Sequence, residues 1–460
     1  MTDPLFWHRL QFGFTITFHY IFPQLTMGLA LLVVVLKAVA LRAHDPVRRD
    51  AWNDAARFWI RIFGLSFAFG VVTGIPMEFQ FGTNWAAFSH KTGAVVGQTL
   101  AMEGIFAFFL ESSFLALLIF GERKLGPRRH FAAACALLVG SWLSAYFVIV
   151  TNSFMQHPTG YRIAADGTFQ VADLRAYVFN SWAIVQYLHN QMASLVTASF
   201  VMAAVGAFWT LRREHGSETG GPARVSLATG VVAALIASQL VAFPTGHEQG
   251  RLVAEHQPAT LAAMEGRFES GPRAQLNLIG QPNVKMRRLD NPIAVPWVLS
   301  FLAFGTFHSN VQGLNDFPED QWPTNIELLY YSFHVMAGLG TIFIGLMALA
   351  NLQRLRGKLM ETKLLLWALM LAFPFPYIAN TAGWMTAELG RQPWLIWGLF
   401  KTSAGYSDVV SQGDALFTLI GFAGLYAALV LLYLFMIGRE VLHGPAGHEP
   451  KSLYPEVVNG

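Results

Sequence analysis

Three histidines and one methionine have the chemistry of iron ligands, and all lie in strongly apolar sequence. His19 lies in QFGFTITFHYIF, His189 in VQYLHNQMASL, and His334 and Met336 in YSFHVMAGLG. Imidazole and thioether are the usual axial ligands of haem iron. One buried histidine is as often a packing residue satisfied by an interhelical hydrogen bond. Several at a similar depth on separate apolar segments weaken that reading. His334 and Met336 are two apart and project from opposite sides of a helix, which does not suit one shared iron.

The acids form a second pattern. Glu103 and Glu111, in LAMEGIFAFFLESSF, are eight apart, about two turns along one side of a helix. Two carboxylates in hydrocarbon cannot both stay charged cheaply, so the pair is protonatable and reads as a proton relay. Two neutral acids in interhelical hydrogen bonds are the plainer alternative. Ser144 and Asn152, in SWLSAYFVIVTNSF, read on their own as packing residues. Glu388 and Arg391, in TAELGRQPW, are three apart, so one helical face carries both where a long apolar run ends.

Helices that cross a bilayer must position these groups. Apolar residues make up 54% of the chain and charged residues 13%, with mean hydropathy +0.41. Soluble domains carry about 25% charged residues, so composition alone indicates a membrane protein. Runs of roughly 20 apolar residues predict nine spans, at 14–39, 58–80, 96–121, 131–152, 184–211, 225–244, 326–350, 364–385 and 414–438. The first run is long and lacks a small-residue cleavage pattern, so it reads as a span rather than a removable signal. Cys135, the one cysteine, excludes an intrachain disulfide and a cysteine-held metal cluster.

Basic residues set the expected orientation. Arg42, Arg48, Arg49 and Arg57 fill the first loop, and Arg123, Lys124, Arg128 and Arg129 the third. Arg212, Arg213 and Arg224 lie in the fifth, Arg354, Arg356, Lys358 and Lys363 in the seventh, and Arg439 and Lys451 in the tail. The other side has only Arg9, Lys91, Arg162, Arg175, Arg391 and Lys401 in its short segments. The N-terminus is therefore expected on the outer, periplasmic side and the C-terminus in the cytoplasm. Residues 245–325 form one long hydrophilic outer loop, and loops of that length are usually functional or disordered.

These residues together carry a resemblance. The chain resembles subunit I of the cytochrome bd family of quinol oxidases in RLQFGFTITFHY, GIPMEFQFGTNW, LAMEGIFAFFLESSF, QPATLAAMEG, YSFHVMAG and GWMTAELGRQPW. The resemblance covers nearly all of the chain, and GRQPW together with MEFQFGTNW is highly specific. It implies an all-α integral membrane protein of nine spans, one haem-binding unit over residues 1–460, with 245–325 as a quinol-binding loop in its short form. It implies a quinol:oxygen oxidoreductase of the bacterial cytoplasmic membrane that takes protons from the cytoplasm and builds a membrane potential without pumping.

Roles follow by resemblance, residue by residue. His189 and Met336 look like the axial ligands of a low-spin haem b. His19 and Glu388 look like ligands of the other two haems, a high-spin haem b and a haem d or third haem b, in either assignment. Glu103 matches an acid beside that pair, Glu111 the next acid of the proton path, and Ser144 and Asn152 polar residues of its channel. Trp384 matches an aromatic between haems, and Arg9 and Arg391 look like propionate partners. Glu265 matches the quinol-site acid. Two positions depart from the pattern: Thr260 stands where lysine is common, and His334 where many members have arginine. Both point to the cyanide-insensitive branch.

The implied partners are a second membrane subunit, a small single-span accessory subunit, ubiquinol or menaquinol, O2 and lipid, with no nucleic acid. Three rival readings fit the residues less well. A secondary transporter would also bury acids, but the sequence has no inverted repeat. A haem-copper oxidase needs a denser group of histidines. A purely structural subunit poorly fits this many buried ionisable groups.

Overall fold

The computed structural model describes residues 4–216 and 220–445; Lys451 lies outside them. Among the described residues nine helical runs are long and apolar enough to cross a membrane. In order they are Pro4–Arg42, Pro46–Thr83, Ala86–Phe120, Glu122–Gln156, Leu174–Arg212, Pro222–His256, Ile326–Leu355, Lys363–Gly390 and Gln412–His443. The expected number is met. Most runs are longer than expected because their polar ends continue the helix past the apolar core. The first, with 39 residues, is about 58 Å long, against a hydrocarbon layer of roughly 30 Å.

Local chemistry marks the ends. Asp45 accepts from the amides of Val47 and Arg48, with Pro46 in the first turn, and so starts the second span. Asn325 caps the seventh span, and Ser411 and Asp414 form a reciprocal capping box on the ninth. Small residues set how closely spans approach. A Cβ on Gly28 would lie 2.3 Å from the Ser194 carbonyl oxygen, and one on Gly206 2.5 Å from the Leu227 nitrogen. The first, fifth and sixth spans therefore pack backbone to backbone. Leu29, Leu36, Phe58, Trp59, Phe63, Phe200, Trp209 and Leu227 fill the core between these spans and the second.

Two spans contain a π-helical segment. One covers Glu103–Phe108 and the other Val241–Thr245. A π turn holds more residues than an α turn. The segment after Glu103 thus swings Glu111 nearer to the same face than α-helical spacing would.

Residues 245–325 carry regular structure, beginning with the helix of the sixth span, which passes through Pro244 in the π segment and continues to His256. A short helix, Pro258–Met264, follows, then an antiparallel hairpin of Leu276–Asn283 with Arg288–Val295. Met264, Phe268, Leu314, Trp322 and Leu329 form a small core of their own beneath it.

Candidate haem-binding and quinol site

The eighth span carries Glu388, meets Met336 directly, and touches the spans that bear the two histidines through other residues. Between Asn380 and Glu388 it touches four other spans. Asn380 donates to Thr197 of the fifth span at 2.8 Å. Thr381 hydrogen-bonds Tyr20, the neighbour of His19 on the first. A Cβ on Gly383 would lie 2.8 Å from the Met336 sulfur of the seventh. Glu388 accepts from Asn152 of the fourth at 2.8 Å. Trp384, half-buried, follows Gly383 directly.

Both histidine candidates are held in the same way. His19 Nδ1 lies 3.1 Å from the Thr73 hydroxyl, and that hydroxyl lies 2.8 Å from the Phe69 carbonyl. His189 Nδ1 lies 3.2 Å from the Thr245 hydroxyl, which lies 3.0 Å from the Leu240 carbonyl. A helical threonine gives its one hydroxyl proton to a preceding carbonyl. Nδ1–H must then be the donor to the threonine oxygen, and Nε2 keeps its lone pair. Among the described residues neither Nε2 has a hydrogen-bond partner. Metal-bound histidines show this arrangement, with the remote nitrogen anchored and the other free.

Among the described residues no group of three or more His, Cys, Asp or Glu gathers as a cage for a bare metal ion. A haem brings its own ring nitrogens and needs only one or two axial atoms from protein. Donors spread singly over several spans fit that requirement. Arg9 is half-buried and has no ion-pair partner among the described residues, which suits a propionate.

Glu388 and Arg391 form the ion pair that their spacing predicts. Arg391 is buried at 3% exposure and also donates to the Leu395 carbonyl, while its Nε has no partner. Gln186 donates to Asn152 at 2.7 Å, and Gln257 reaches the Gln156 side chain at 3.0 Å. Asn152 therefore sits with Glu388, whereas Ser144 donates to Glu103 at 2.8 Å. Sequence reasoning missed Ser141, which hydrogen-bonds Glu111, and Glu78, which lies close enough to Glu103 to feel its charge. The acid in MEFQFG was the available signal for Glu78. Glu111 is buried, and a Cβ on Gly140 would come within 3.1 Å of its backbone nitrogen, so third and fourth spans meet there.

Glu265 is 1% exposed, at the C-terminal end of the short helix Pro258–Met264. Burial pushes its carboxyl up to about 8, against the opposing pull of the Asn277 amide and the Arg267 charge. The Asn277 amide donates to Glu265 at 3.2 Å, and the Asn277 carbonyl lies 2.8 Å from His334 Nε2. His334 Nδ1 lies 2.8 Å from the Tyr330 carbonyl. His334 thus ties the Met336 helix to the outer hairpin, one residue's backbone away from Glu265.

Thr260 is 2% exposed and donates to the Gly390 carbonyl at 2.8 Å. It is a packing tie between the short helix and the end of the eighth span. A Cβ on Gly390 would lie 2.4 Å from Thr260 Cγ2. Gly390→Ala should lower stability by about 1–3 kcal/mol through overpacking. Thr260→Ser, which removes that methyl and keeps the hydroxyl, should restore the double variant. Thermal unfolding of the purified complex checks this; no rescue would rule out the contact as the cause.

The comparisons agree with this architecture. The family described as "Cytochrome bd terminal oxidase subunit I" matches residues 7–445. The cytochrome bd ubiquinol oxidase subunit 1 of Bacillus subtilis (strain 168) is 34% identical over 448 residues, 95% of this chain and 93% of the relative. The cytochrome bd-II ubiquinol oxidase subunit 1 of Escherichia coli (strain K12) is 29% identical, over 98% and 99% of the two chains. The solved bd oxidase from Geobacillus thermodenitrificans superposes with a TM-score of 0.88 at 29% identity, over 96% of this chain and 99% of that one. Sequence, helix arrangement and site geometry together place this chain in the cytochrome bd terminal oxidase subunit I family.

Proposed function

We propose that the chain is the quinol-oxidising, oxygen-reducing subunit of a respiratory oxidase in the bacterial cytoplasmic membrane. The observation that carries this reading is two histidines on separate spans, each anchored at Nδ1 by a threonine with Nε2 left free, beside a thioether packed on the span that carries Glu388. His189 and Met336 hold the low-spin haem b, and His19 and Glu388 each hold one of the other two. Bound haems supply the electron transfer and the reduction of O2 to water.

The protein's own residues do the rest. Glu265, in the outer segment, takes a proton from quinol, and Asn277 orients its carboxylate. Arg9 and Arg391 supply positive charge for propionates. Glu111 and Glu103, each beside a serine of the fourth span, pass protons from the cytoplasmic side inward. The basic loops support an outer N-terminus, so quinol protons leave outside while the consumed protons come from inside. A second membrane subunit works beside this one.

The test is a pyridine haemochrome with a reduced-minus-oxidised spectrum on the purified complex. It should show low-spin and high-spin b haem bands, with quinol-driven oxygen uptake. A preparation that carries no haem sinks the reading.

A further inference from the structure

Both candidate histidine ligands rest on a Thr–Gly step of a neighbouring helix. His19 meets Thr73 and Gly74 of the second span, and His189 meets Thr245 and Gly246 of the sixth. A Cβ on Gly74 would lie 2.9 Å from His19 Cε1, and one on Gly246 3.4 Å from His189 Cε1. In each pair the threonine oxygen receives Nδ1–H; Gly74 leaves room for the His19 ring edge, whereas a Cβ on Gly246 would be in ordinary contact with His189 and would meet the Val241 carbonyl at 2.5 Å. Each threonine hydroxyl also lies near a second carbonyl of its own helix, Gly70 at 3.1 Å for Thr73 and Val241 at 3.4 Å for Thr245.

Thr–Gly also occurs at Thr92–Gly93, Thr159–Gly160, Thr219–Gly220 and Thr229–Gly230. Gly93 faces open space, and Gly230 packs on Ser199 and Ala203. The dipeptide alone is therefore no signal. The two that meet a histidine do so from different spans, one α-helical and one closing a π segment.

We propose that Thr73, together with Gly74, and Thr245 form ligand cradles, which fix the tautomer and rotation of His19 and His189 and set the donor strength of their Nε2 atoms. This rests on the reading of both histidines as haem ligands. Threonine and glycine here are positioning residues. A neutral oxygen on Nδ1–H polarises the imidazole less than a carboxylate would. Removing it weakens electron donation through Nε2 and favours reduced iron, which raises the haem potential.

The experiment uses the purified oxidase complex and reads haem content, band positions and the midpoint potential of each haem. Thr245→Val keeps shape and loses the oxygen. It should retain its haem, raise the potential of the low-spin haem alone and broaden its band. Thr245→Ser should return both to the wild-type value. Thr73→Val should move a different haem, and Gly74→Ala should displace His19 and lower that haem's occupancy without changing the Thr245 haem. Potentials and bands unchanged in both valine variants, while His19→Ala and His189→Ala each lose a haem, overturn the cradles and leave the ligands standing. Haem content unchanged in His19→Ala and His189→Ala instead overturns the ligand reading, and the cradles with it. If a valine variant does not assemble, the Gly74→Ala occupancy decides: no loss of the His19 haem overturns the first cradle.

Discussion

Met336→Leu should abolish the low-spin b signal while leaving the oxygen-reactive haems in place. Leucine nearly matches methionine in volume, so the packing change should cost less than about 1.5 kcal/mol and the complex should assemble. What is lost is the sulfur, the one atom of that side chain able to bind iron. The Met336 sulfur packs against the Gly383 backbone, where a Cβ would come within 2.8 Å of it. Electrons from quinol must enter through this centre in the proposed route. Loss of a second-shell partner costs about 10–100-fold in metal sites, and loss of a ligand should cost at least the upper figure in quinol-driven turnover. Oxygen binding to the reduced enzyme should persist. An unaltered reduced-minus-oxidised spectrum removes Met336 from the ligand set.

Glu265→Gln should lower quinol oxidation by about 10²–10⁴-fold, the usual contribution of a general base, with haem content unchanged. The pH profile separates this from a packing effect. Only the carboxylate accepts a proton, and burial holds this group up to about 8. Wild-type turnover should therefore rise through the range up to pH 8 and level off above it, while the glutamine variant stays low and flat. Stability should move the opposite way. The folded state holds the Glu265 proton to a higher pH than the unfolded chain, whose carboxyl titrates near 4.5. The folded protein binds more protons between those values, so this group's contribution to stability declines as pH rises from about 4.5 to 8. The glutamine variant lacks that decline and should unfold at a higher temperature than wild type at pH 8. A variant that is both less active and less stable there would make Glu265 a structural residue.

Much of the architecture was legible because membranes impose simple rules. Backbone amides in hydrocarbon must be satisfied within the helix, so apolar runs of sufficient length report spans directly. Spacing also predicted the Glu388–Arg391 pair correctly, since three residues along a helix fix a shared face. The helix of the sixth span runs on past the apolar stretch to His256, with Pro244 absorbed in a π segment. Adjacent sequence suggested one role for Ser144 and Asn152. They lie eight apart on the fourth span, yet one meets Glu103 and the other Glu388.

Composition, periodicity and charge were enough to specify the nine spans, the asymmetric basic loops and the set of donors and acids lying among apolar residues. Those follow from transfer energies and helical period, which are properties of each segment alone. The tertiary structure decided which partner each polar side chain meets. Thr73 and Thr245 look like any other threonine beside a glycine until neighbouring helices set a histidine against them. Thr260 departs from the common lysine and turns out to be a buried tie to Gly390. Partner choice depends on how two helices are rotated and how closely they approach. Residues far apart in the chain set both, at contacts such as Gly28 with Ser194 and Gly383 with Met336.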